Sequence, residues 1–117
     1  MNTITGIGSV NYSRIVTDKF GNRSLRYGVK VVKGDDVIQV WFKFGGASFD
    51  QAVAYREANK CYAGAVVNFH DAEILSAKRS VYQGVPQLQV EARRPAIWQA
   101  LEESDYTPTE KTVTQFV

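Results

Sequence analysis

The sequence runs to 117 residues and 13.1 kDa, with 44% hydrophobic and 22% charged residues; these are ordinary globular proportions for one domain and exclude collagen-like or wholly disordered chains. A single cysteine, Cys61, excludes an internal disulfide scaffold, no apolar run nears the roughly 20 residues needed to span a bilayer, and Met1–Thr5 lacks the basic start and apolar stretch of a signal peptide. The formal charge of +2 conceals an asymmetry, because residues 102–117 hold Glu102, Glu103, Asp105 and Glu110 against Lys111 alone, which leaves thirteen cations and eight acids in residues 1–101; a basic body with an acidic end is one signature of a nucleic-acid binder.

Strand signals fill the first 44 residues. Ile4 to Val16 is rich in Thr, Ile, Val and Tyr, and Gly6 and Gly8 around Ile7 predict a bulge or bend. Asp18–Asn22 is a turn in which Gly21 and Asn22 accept positive φ. A second strand is expected over Arg23–Val32, a turn over Lys33–Asp36, and a third strand over Val37–Phe44. After Gly45-Gly46, Ser48 stands where a helix cap belongs, and the spacing of Phe49, Val53 and the Arg56 stem predicts three helical turns ending before Gly64. A fourth strand follows over Ala65–Leu75, kinked at His70-Asp71, and then a basic connection with Lys78, Arg79 and Tyr82. Tyr82–Pro86 is a turn, since Pro86 cannot sit in a paired central strand. Gln87–Arg93 alternates as a half-buried fifth strand. Ala96–Glu103 reads either as a short helix or as a packing segment anchored by Trp98 and Leu101. Residues 105–117 read as a mobile C-terminal tail outside a domain of residues 1–104.

Five strands with one helix between the third and fourth is the order of the OB-fold, a five-stranded all-β Greek-key barrel. Alternation then sorts the faces. Leu25, Tyr27, Val29 and Val31 belong to the core, as do Ile38, Val40, Phe42 and Phe44. The opposite face combines Arg26, Lys30, Trp41 and Lys43, with Gly28 leaving open space among them. Trp41 is out of phase with the apolar set. It is either a platform on which a base stacks, with the cations meeting phosphates, or a ring covered by the helix, the tail or a partner. Two loops have matching composition: Lys19, Phe20 and Arg23 at the first turn, and Lys78, Arg79 and Tyr82 before the fifth strand. Phe20 is either folded back or an exposed stacking group. Tyr12 and Arg14 on the first strand join the candidate set.

Catalysis finds no support in the residues. Cys61 and His70, each the sole member of its type, fall short of the four ligands of a structural zinc site. Cys61 reads as core, Asp35-Asp36 as a turn, and Gly6-Ile7-Gly8 lacks the rest of a phosphate loop. The expectation is a non-enzyme with no cofactor and no metal.

Over residues 2–93 the chain resembles the OB-fold single-stranded DNA-binding proteins. The parallel comprises the opening strand Asn2–Ile7, the turn at Gly21, the third-strand ending Val40-Trp41-Phe42-Lys43-Phe44, the helix, the run Tyr62–Val67, and Tyr82-Gln83-Gly84 leading into Leu88-Gln89-Val90. It looks most like the small helix-destabilising proteins of filamentous phages. That resemblance implies sequence-tolerant coating of single-stranded DNA during replication, a homodimer or higher homo-oligomer, and residence in the host cytoplasm. Cellular members close on an acidic tail ending Asp-Ile-Pro-Phe, whereas here Phe116 precedes Val117 and the acids lie upstream. The rival expectation, from a different class, is a protein–protein module of a replication or plasmid-transfer assembly that uses the same face.

Overall fold

β-Branched and aromatic residues dominate the strand segments because their side chains fit a pleated, half-buried surface. In the computed structural model, which describes residues 2–101 and the backbone at 115–116, seven strands and one α-helix form. The strands are β1 (Thr3–Thr17), β2 (Arg23–Lys33), β3 (Asp36–Gly45), β4 (Val66–Tyr82), β5 (Val85–Ala92), β6 (Ile97–Leu101) and β7 (Gln115–Phe116); α1 (Phe49–Asn59) lies between β3 and β4. β1 pairs with β2, β2 with β3, β3 in parallel with β5, β5 with β4, and β4 back with β1. Five strands thus close a ring in the order expected of an OB-like all-β fold. Ring closure leaves few unpaired backbone groups on these strands, which removes most of the edge that an open sheet would expose.

Within the ring β1 serves two neighbours, because its first half pairs with β4 and its second half with β2. The ladder slips between Ile4 and Gly6 and again between Val10 and Tyr12. The first slip is the bend anticipated near Gly6. On β4 it is matched at Asp71, whose φ of 57° is taken up as a bulge, with its amide donating to Thr5 Oγ1 at 3.0 Å. Gly8 is required by close approach: a Cβ there would stand 2.5 Å from the Lys30 carbonyl oxygen.

The core follows the alternation. Leu25, Tyr27, Val29, Val31, Val40 and Phe42 are at most 1% exposed, and Val67, Phe69, Val90 and Cys61 join them. Burial pushes the Cys61 thiol up. Tyr27 is also pushed well above its ordinary value by burial, and its hydroxyl donates to the Cys61 carbonyl at 2.9 Å.

Four elements differ from the sequence reading. Residues 97–101 are neither helix nor loose segment but strand β6, added outside the ring on β4; Trp98 is its anchor, with ring centroids 4.8, 5.2 and 5.3 Å from Tyr27, Phe42 and Phe44. β4 does not stop at Leu75. It continues through Lys78 and Arg79 to Tyr82, so these residues belong to a strand and not to a connection. Pro86 lies within β5 opposite Val81, where β3 has not yet joined; one side of the strand is open and no amide is needed there. Ser48 occupies the N-cap position without capping α1, since its hydroxyl donates to the Gly45 carbonyl at 2.8 Å. The tail assigned to 105–117 lies outside the described residues, apart from Gln115–Phe116, whose backbone pairs with Gly6 and Ile7.

Candidate nucleic-acid interface

Registers across the ring place the outward-facing side chains in three ranks. Directly opposed residues on neighbouring strands share a face, about 5 Å apart. The first rank is Arg14, Arg26 and Lys43 on β1, β2 and β3. The second is Tyr12, Gly28, Trp41 and Glu91 on β1, β2, β3 and β5. The third is Lys30, Gln39, Gln89 and Lys78 on β2, β3, β5 and β4.

Three like charges side by side destabilise a sheet unless something compensates them. Among the described residues, no carboxylate lies within 4 Å of Arg14, Arg26 or Lys43. Arg26 Nε is buried and has no hydrogen-bond partner. An unsatisfied buried donor costs about 1–3 kcal/mol, more when charged. Asp18 of the β1–β2 turn attracts Lys43 without forming an ion pair with it, so the rank keeps part of a cost that a bound anion would offset. Glu91, at the far end of the second rank, is its nearest acidic member in register.

Trp41 sits on the outward face, as its phase requires, while Val40 and Phe42 are buried. Its indole is half-buried, however, and the space over Gly28 is not open. A Cβ on Gly28 would stand 2.8 Å from Trp41 Cζ3, 2.8 Å from Gln39 Nε2 and 2.9 Å from Asn11 Oδ1. The ring lies across the glycine. Its Nε1 donates to Gln89 Oε1 at 2.9 Å, and Tyr12 meets it edge to face at 5.5 Å. Arg14 lies 5.9 Å from the Tyr12 ring centre. The β1 slip after Val10 is what turns both Asn11 and Tyr12 toward this face.

Beside Trp41 lies a groove of about 420 Å³ lined by Tyr12, Lys30, Tyr82 and a set of amides. Sequence reasoning missed the amides. Asn11 and Gln39 exchange two hydrogen bonds at 2.8 and 2.9 Å, and Gln89 Nε2 donates to Gln87 Oε1 at 3.0 Å. Gln39 and Gln89 have the outward phase, a signal present in the sequence, but β3 and β5 become neighbours only through the ring. Tyr82 reaches the groove from the tip of the β4–β5 hairpin. There Gln83 and Gly84 both have positive φ, the geometry of a tight two-residue turn.

The remaining candidates divide. Phe20 is 78% exposed at the tip of the β1–β2 turn, so it is not folded back, and Lys19 Nζ lies 5.2 Å from its ring. The turn is fixed by Asp18, whose Oδ1 accepts from the Phe20 and Asn22 amides at 2.8 and 2.9 Å. Those bonds, that from Asn22 foremost, hold the Asp18 carboxyl below its ordinary value. The last pair of the hairpin, Thr17–Arg23, stands three residue pairs beyond Arg14–Arg26, about 10 Å along it, and the tip lies beyond that pair. Arg23 turns to the other side, where it lies 5.1 Å over the Phe49 ring of α1. Arg79 also leaves the set. Lys78 is opposite Gln89 on the outward face, whereas Arg79 is opposite Leu88 on the core-side face and borders Asp35 and Asp36. No helix among the described residues is long and apolar enough to cross a membrane. Comparison with models of protein families and with curated proteins finds no match for this chain.

Proposed function

We propose that the face formed by the three ranks binds single-stranded DNA without strong sequence preference and acts as a binder, not as a catalyst. The observation that carries this reading is the Arg14–Arg26–Lys43 rank, which forms no ion pair among the described residues, with its buried unpaired Arg26 Nε, immediately beside the Tyr12–Trp41 aromatic pair. Cations take the phosphates and the aromatic surfaces take bases, whose π-faces are common to all sequences. Tyr82 at one end and Phe20 at the other extend the stacking surface, and Lys30 and Lys78 extend the charge. In this reading the protein coats single strands during replication, as a homo-oligomer in the cytoplasm, in the manner of the phage proteins it resembles.

A second reading draws on the β4–β5 hairpin, where Val85, 47% exposed, lines the same groove and Val81, 70% exposed, borders the adjoining surface with Asp35 and Asp36. Exposed apolar surface of this kind suits a protein partner. Fluorescence titration with poly-dT at two salt concentrations separates the two. Tryptophan quenching that weakens steeply with salt supports DNA binding. Indifference to single strands at both salts rejects it and leaves the partner-docking reading.

A further inference from the structure

On the other side of the ring from those ranks, α1 leans on the sheet without sinking into it, and none of its residues is fully buried. Between its first two turns and the segment Arg94–Ala96 lies a cleft of about 350 Å³. That volume is at the lower end of small-ligand sites, roughly 300–1,000 Å³, and far larger than the ~30 Å³ of one water. The cleft shares no lining residue with the groove beside Trp41.

Its walls are fixed and aromatic. Trp98 and Phe44 form the floor, and the Trp98 ring is held by three aromatic neighbours yet remains half-buried, with surface left on the cleft side. Tyr55 forms the α1 wall, and its hydroxyl accepts the Ala100 amide at 2.8 Å. The rim carries one sign of charge. Arg94 is exposed, and among the described residues no carboxylate lines the cleft or lies within 4 Å of Arg94. Ser48 and Gln51 mark the start of α1 at the same rim; Asp50 in the first turn offsets the helix dipole there, so the positive charge of the rim is that of Arg94. The concave surface bordered by Asp35, Asp36 and Arg79 carries both signs and offers no such bias.

We propose that this cleft is a second binding site, for one small planar aromatic anion of the nucleoside monophosphate class. The ring packs on Trp98 and Tyr55, the Gln51 amide meets its polar edge, and the phosphate takes Arg94. The volume holds a single nucleotide and not a strand, so the site is independent of the DNA-binding reading.

The chain has two tryptophans, so Trp41→Phe leaves Trp98 as the sole reporter. This variant is titrated with AMP, adenosine and inorganic phosphate. AMP is expected to quench Trp98 saturably with a Kd below about 1 mM, and adenosine and phosphate each to bind about tenfold or more weakly. Arg94→Gln in the same background is expected to weaken AMP about tenfold, with an unchanged circular dichroism spectrum. Ala52→Leu, which fills the cleft from α1, is expected to abolish the response. The proposal is overturned by no saturable quenching up to about 10 mM AMP, by phosphate alone binding as well as AMP, or by an Arg94→Gln variant that binds normally. None of these outcomes bears on poly-dT binding to the outward face, which is tested separately by reversing Arg14, Arg26 and Lys43.

Discussion

Gly28→Ala is the most informative single perturbation of the candidate interface. Nothing in its backbone demands glycine, because Gly28 does not have positive φ. What demands it is the space above it. The added methyl would stand 2.8 Å from Trp41 Cζ3 and from Gln39 Nε2, against the 3.5–4.0 Å of an ordinary carbon contact. The indole must therefore lift by roughly 1 Å, which pulls Nε1 away from Gln89 and opens the Asn11–Gln39 pair. Overpacking of this kind costs about 1–3 kcal/mol of stability. Displacement of the platform costs a comparable amount in stacking, about 1–3 kcal/mol per base, or about five- to 150-fold in affinity. Near-ultraviolet circular dichroism reads the indole environment, thermal denaturation reads the stability, and poly-dT titration reads the binding. The expected result is a changed tryptophan band, a lowered Tm and weakened binding in a folded protein. A variant with a native tryptophan band and native affinity would refute the seated-indole geometry; a changed band with native affinity would remove Trp41 from the binding face.

Trp41→Ala should lower affinity for single strands by about 1–3 kcal/mol while the core, which the ring does not enter, stays intact by far-ultraviolet circular dichroism. Reversing Arg14, Arg26 and Lys43 together should weaken binding to all sequences alike and flatten the salt dependence, so a sequence-selective loss in a filter-binding series would contradict the phosphate assignment. Lys78→Glu should weaken poly-dT binding, and Arg79→Glu should leave it nearly unchanged, because the two side chains lie on opposite faces of β4; equal losses would invalidate the facing. The Asp18 carboxyl is held below its ordinary value by the bonds it accepts, so the ordering of the Phe20 turn is present above the unfolded value of about 3.9 and is lost as pH falls through the lower folded value. Protection of the Phe20 and Asn22 amides, taken relative to the intrinsic exchange rate at each pH, should fall only in that acidic window, and loss of protection near neutral pH would show that Asp18 does not hold the turn.

Alternation and turn chemistry determine a good deal of this protein without reference to tertiary structure. Period-two phasing assigns Leu25, Tyr27, Val29, Val40 and Phe42 to the core and Trp41 and Arg26 to the outside, because a pleated strand sends successive side chains to opposite faces. Gly21 and Gly34, with φ of 85° and 60°, mark turns for the same local reason. Tertiary structure decides the rest. In residues 75–79 of β4 the apolar alternation fades after Leu75 and Ala77 because this half of the strand is exposed, so periodicity loses it, although pairing with β5 makes it strand. Ile97–Leu101 is strand only because the exposed edge of β4 accepts it. Arg23 and Arg79 have the same composition as the true face residues and differ from them only in which side of the pleat they occupy. The closing of the ring brings β5 beside β3, and only then does Gln89 meet the indole of Trp41, 48 residues away in sequence. Local sequence can specify the phase of a strand, but the neighbour that strand receives is set by burial of the whole core.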